Sequence, residues 1–244
     1  MGRLQVLDSL DSDWWGPLPI FPALKAMPKS PVEGLIERRL GAAQGLMISK
    51  FAPGFDDECV EGLRRIVADV VAGRRGPVKY LVFDFAHQIE RDSEAGEGFG
   101  QLINAVANLV LTAPMVTVAS VRADLTGADL ELALACNMIV AEAGRRFSFA
   151  TDPTTSLATY GFLSQKIGFV RTERLMERGA VLDAREMSEL LLVKAVLAEG
   201  SGVSGVEQHL ARQLRRHNSA YGIYRAQRIA HPTISDDLDE ARIA

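Results

Sequence analysis

A lone acid, Glu131, lies in a stretch otherwise made of Leu130, Leu132, Ala133, Leu134 and Ala135. Burying an ionised carboxylate without a partner is costly, so an acid in such surroundings calls for a chemical reason. Upstream, the polar, glycine-containing turn Arg122 to Gly127 separates that stretch from the apolar run Met115 to Val121. Downstream comes a second short apolar run, Met138 to Ala141. The order reads as strand, tight turn, helix start, strand. A helix start of this kind presents backbone N–H groups to an anionic oxygen. Free amide donors and one shielded carboxyl suit a reaction in which an oxygen gains charge while a proton moves nearby.

Two further side chains are candidates for proton transfer. His87 directly follows the apolar run Tyr80 to Phe85, and an imidazole at a strand C-terminus can serve as general base. The alternative is a histidine hydrogen-bonded to Asp84 or to backbone, orienting the loop. Asp152 precedes Pro153, so it either stands near a proton-transfer position or opens a turn. Arg122 and Asp124 are expected to form a local ion pair, and a structural pairing of Glu131 with Arg122 is the bland account of that acid. His209, His217 and His231 have no spacing that suggests a metal site.

Several elements must position these groups. Val60, Leu63, Ile66, Val67 and Val70 recur at helical spacing, and Gly73 with Arg74-Arg75 suits that helix's C-terminus. Tyr80 to Phe85 is a strand, with Asp84 on the face opposite Phe83 and Phe85 and expected to be half exposed. Phe99, Leu102, Ile103, Val106, Leu109 and Val110 predict a second amphipathic helix. This rhythm favours a largely parallel sheet with crossover helices. Beyond Phe149, helices are expected over Gly168–Glu177 and Ala184–Leu190, the latter opened by a capping box of Asp183 and Glu186. Leu192–Leu197 reads as a short strand. Ser204 and Glu207 repeat the capping-box spacing, predicting a helix through Leu210 and Leu214, and a basic helical stretch spans about 219–229. The proline-rich start, with Trp14-Trp15, reads as an irregular arm.

The stretch APMVTVASVRADLTGADLELALACNMIVAEAGRRFSF, residues 113–149, resembles the signature of the crotonase (enoyl-CoA hydratase/isomerase) superfamily. That signature is usually written P-V-I-A-A-V-N-G-x-A-x-G-G-G-x-E-L-A-L-A-C-D, followed by an alanine-rich strand and R-F-G. Ala119, Val121, Gly127, Glu131 to Cys136, Arg146 and Phe147 carry the likeness. Leu35 to Pro53 resembles the family's first hairpin, Val78 to Asp84 its next core strand, and Lys166 to Val196 its later helical stretch. The resemblance implies an α/β crotonase-like fold, with repeated ββα units forming a mostly parallel sheet and a C-terminal helical region. The expected organisation is an irregular arm over 1–32, a core over 33–198 and a helical region over 199–244.

The resemblance also implies a site that binds an acyl-CoA thioester, with its carbonyl oxygen held by two backbone N–H donors. Glu131 falls on the first catalytic glutamate. Gly127, Ala128 and Asp129 fall on the three glycines, making Ala128 N–H the central donor and setting an acid, Asp129, where an enolate would develop. The second donor is expected from the loop that begins at Ala86, His87 and Gln88, where Glu90, Asp92, Glu94 and Glu97 bring negative charge. Thr151 stands where the family has a second glutamate, with Asp152 beside it. Gln88, Asp129 and Thr151 are therefore candidate substrate contacts. No cofactor is implied beyond coenzyme A as part of the substrate, and the family's assembly implies a homotrimer or hexamer.

Composition narrows the alternatives. A net charge of −4 argues against electrostatic binding to nucleic acid or to an anionic membrane. The two cysteines, Cys59 and Cys136, read as core residues and not as a disulfide framework. The start of the chain shows acids instead of a signal pattern, so the cytoplasm is expected. Two functions remain open: a divergent thioester enzyme of hydratase, isomerase or hydrolase type, and a non-catalytic scaffold or ligand-binding protein with a degenerate site. Glu131 favours the enzyme; the altered Gly127-Ala128-Asp129 triplet, the missing second glutamate and the acidic loop favour the scaffold.

Overall fold

Leu35–Leu40 (β1) and Gly45–Lys50 (β2) form an antiparallel hairpin in the computed structural model, which describes residues 35–50, 57–86, 106–108, 110–111, 113, 115–150 and 156–213. Three further strands continue the sheet in parallel, namely Tyr80–Phe85 (β3), Val116–Val121 (β4) and Met138–Glu142 (β5). Val193–Leu197 (β8) pairs in parallel with β5 and completes the order β1-β2-β3-β4-β5-β8. Every residue of β3, β4 and β5 is buried, as parallel strands covered on both faces require.

Alternation along the strands divides the core. Leu81, Phe83 and Phe85 join Ala119 and Val121 in a cluster with Val60 and Ile66 of helix α1 (Asp57–Val71) and with Leu130 and Leu134 of helix α2 (Gly127–Ala135). Tyr80, Val82, Val116 and Val118 point the other way, onto Val206 and Leu210 of the last described helix, α6 (Gly202–Ala211). Asp84 shares that second face and is only 3% exposed. The expectation of a half-exposed Asp84 is corrected: alternation assigns its face properly, but this face too is covered.

Helices α3 (Ser156–Ile167) and α4 (Phe169–Glu177) follow a short strand, β6 (Arg146–Ser148), which pairs antiparallel with β7 (Val181–Asp183). The periodicity of the sequence did not reveal α3, β6 or β7. The capping box of Asp183 and Glu186 is present and opens α5 (Ala184–Glu189). The second expected capping box is not. Helix α6 begins at Gly202, a turn before the expected start, because the buried carboxylate of Glu142 accepts from Gly200 N–H and Gly202 N–H. Glu207 instead accepts from Ala42 N–H at 3.0 Å. Residues 106–108 and 110–111 are helical. The remainder of that expected helix, the arm with Trp14-Trp15, Leu214 and the basic stretch at about 219–229 lie outside the described residues.

Candidate active site

Helix α2 starts on Gly127 with φ +52, a left-handed conformation that favours glycine. The preceding Thr126 is extended, and its side chain makes no cap hydrogen bond. First-turn amides have no partner within their own helix, and among the described residues nothing accepts from the N–H of Gly127 or Ala128. The local sequence therefore builds a helix N-terminus with no cap among the described residues, half-buried at Thr126 and Gly127 and with Ala128 9% exposed.

One turn further along lies Glu131. It is 2% exposed, and residues three apart share a helix face, so its carboxyl stands on the same side as Ala128. Among the described residues it has neither an ion-pair nor a hydrogen-bond partner; burial alone raises it from the ordinary 4.5 to about 8. At neutral pH the carboxyl is therefore mostly protonated, able to give a proton and, once it has done so, to take one back. Asp129 is buried in the same first turn, where the helix dipole favours an acid.

The other expected limb begins where β3 ends. Phe85 C=O accepts from Arg122 N–H at 2.9 Å and from Ala123 N–H at 3.0 Å, in a ladder that sets Phe85 opposite Val121. Half-buried Ala86 thus leaves the sheet beside the turn that leads into α2. The structure brings Ala86, Gly127, Ala128, Asp129 and Glu131 to neighbouring segments. His87, Gln88, Thr151 and Asp152 lie outside the described residues.

The ion pairs differ from those expected. Arg122 does not pair with Asp124 or Glu131. Its Nε and Nη2 donate to both carboxylate oxygens of Asp84, at 2.8 and 2.5 Å. Asp124 accepts instead from the backbone N–H of Arg146 at 2.9 Å and from its Nε at 3.1 Å. Asp84 also accepts from Ser49 Oγ at 2.8 Å and from Ser120 Oγ at 3.3 Å. This cluster was missed from sequence. Its only signal was that Ser49, Asp84 and Ser120 each stand one residue before the end of a strand. Cys136 is buried and is not in a disulfide; its thiol donates to Leu132 C=O at 3.3 Å, as in a structural core cysteine. Among the described residues no group of three His, Cys, Asp or Glu side chains is placed to hold a metal ion, and no helix is long and apolar enough to cross a membrane.

No protein-family model and no curated protein matches the chain. Solved structures do. The chain is similar to DspI of Pseudomonas aeruginosa (TM-score 0.68, 18% identity, 84% of this chain and 85% of that one). It is also similar to a putative enoyl-CoA hydratase from Streptomyces coelicolor A3(2) (TM-score 0.65, 20% identity, 92% and 90%). A third is an enoyl-CoA hydratase/isomerase from Marinobacter aquaeolei (TM-score 0.65, 20% identity, 86% and 89%). Together with the six-stranded, mostly parallel sheet and its flanking helices, these likenesses establish that the chain has the crotonase-like fold.

Proposed function

We propose that this protein is a crotonase-type enzyme acting on an acyl-CoA or carrier-linked acyl thioester, by hydration, double-bond isomerisation or hydrolysis. The observation that carries this reading is a buried Glu131 one helical turn after the Ala128 N–H, neither of which has a partner among the described residues. A thioester oxygen at the N-terminus of α2 would accept from Ala128 N–H, with the loop after Ala86 supplying the second donor. Charge moving onto that oxygen would be met by fixed dipoles that need no reorganisation. Glu131 would move the proton, its raised pKa matching it to exchange near neutrality.

Asp129 is the observation that favours a non-catalytic scaffold, since a negative charge in the first turn opposes an enolate. Calorimetric titration with coenzyme A and short acyl-CoAs separates the two. Heat of binding followed by turnover of enoyl-CoAs that Glu131→Gln abolishes supports the enzyme. Absence of heat at millimolar ligand, or equal turnover in both proteins, refutes it.

A further inference from the structure

At the C-terminal ends of the parallel strands lies a polar cluster that the proton chemistry does not use, formed by buried Asp84 and Ser120 with half-buried Arg122 and Ser49. Asp84 is 3% exposed and sits one residue before the end of β3; Arg122 is the first residue after β4. The pairing is bidentate, and both serines donate to the same carboxylate. Three parallel strands, β2, β3 and β4, are thus tied at their C-terminal ends by one side chain.

We propose that Asp84 and Arg122 act as a positioning clamp that fixes the exit of β3 against the turn entering α2, so that the two backbone segments expected to hold the oxyanion keep one spacing. This rests on the thioester reading above. A buried ion pair is weak evidence for stability, because an apolar pair of similar volume often serves as well or better. What a forked guanidinium adds is geometry, since two parallel bonds restrict rotation and sliding. The clamp adjoins the place where geometry counts. Arg122 N–H and Ala123 N–H both donate to Phe85 C=O, so the backbone of the same segment is fixed to the residue before Ala86.

Arg122 does not act on the proton. Burial is the sole cause of the Glu131 shift, with no contribution from Arg122, whereas Asp84 and Glu142 are the acids that act on Arg122. Asp84 and Arg122 are therefore positioning residues, and their loss should alter oxyanion binding without altering the titration of Glu131. A displacement of about 1 Å in such a site costs on the order of 100-fold.

The test uses the full chain as wild type, Arg122→Lys, and the double variant Asp84→Asn/Arg122→Gln, which leaves no unpaired charge behind. Hydrogen exchange at the amides of Arg122 and Ala123 is compared with that at Leu46 to Ile48. In parallel, coenzyme A and acetoacetyl-CoA, whose enolate has its own ultraviolet absorbance, are titrated. The expected result is at least about tenfold faster exchange at Arg122 and Ala123 in both variants, with Leu46 to Ile48 unchanged. Enolate affinity should fall about 100-fold while coenzyme A affinity stays within about twofold. Unchanged exchange at Arg122 and Ala123, or equal weakening of both ligands, overturns the clamp. Should the wild type bind neither ligand, the thioester reading fails, and the exchange data alone then decide whether the clamp exists.

Discussion

Replacing Glu131 by Gln should remove a steep pH dependence from the stability of this protein. In the folded chain, burial raises the Glu131 carboxyl from the ordinary 4.5 to about 8. Between those values the unfolded chain carries a carboxylate at this position and the folded chain a neutral acid. Folding then takes up a proton, so the wild type is most stable, as far as this group is concerned, below pH 4.5 and loses that stability as the pH rises through about 8. The loss is about 1.4 kcal/mol for each pH unit inside that window, and about 5 kcal/mol over the whole of it at most. That is a large part of the ~5–15 kcal/mol typical of a folded domain. Glutamine keeps the shape and cannot ionise. Urea unfolding of both proteins at a series of pH values, roughly 5 to 8, measures the effect, and all other titrating groups cancel in the difference. The stability of Glu131→Gln relative to wild type should rise by about 4 kcal/mol over that range. Parallel curves for the two proteins would refute the reasoning, because they would mean that Glu131 is solvated or paired in the folded state.

Three shorter predictions concern the scaffold. Gly127→Ala, at φ +52 with open space where the Cβ would lie, should cost about 1–2 kcal/mol through backbone strain alone, read by denaturant unfolding. Asp183→Ala removes the side chain that accepts from Arg185 N–H and Glu186 N–H and should cost about 1 kcal/mol, with a small fall in melting temperature. Leu210→Ala opens a cavity between α6 and the sheet, where Leu210 is fully buried. It should cost about 2–5 kcal/mol, seen as a lower denaturation midpoint with an unchanged slope.

The parts of the fold legible in the sequence are those set by neighbours along the chain. The strand Tyr80–Phe85 appears as expected, because five of its six residues are apolar or aromatic and suited to burial. The Asp183–Glu186 capping box is satisfied three residues apart and needs nothing distant. The same spacing at Ser204 and Glu207 misled, because the N-terminus of α6 is met by Glu142, sixty residues before Gly202. Arg122 was assigned to Asp124, its neighbour in the chain, whereas the parallel register of β3 and β4 places it beside Asp84. The motif around Glu131 points to an acid shielded near a helix start, and Glu131 is buried in the helix that begins at Gly127. That Asp84 gathers Ser49, Ser120 and Arg122 is a consequence of strand register, which composition and spacing do not contain.

The most direct measurement is the infrared carbonyl stretch of an acyl-CoA carrying carbon-13 at the thioester carbon, recorded free and in the presence of excess protein. Two amide donors on the thioester oxygen should polarise the bond and move the stretch to lower frequency, and the Glu131→Gln protein should retain that shift while losing turnover. A bound thioester whose carbonyl frequency is the same as in free solution would contradict the account.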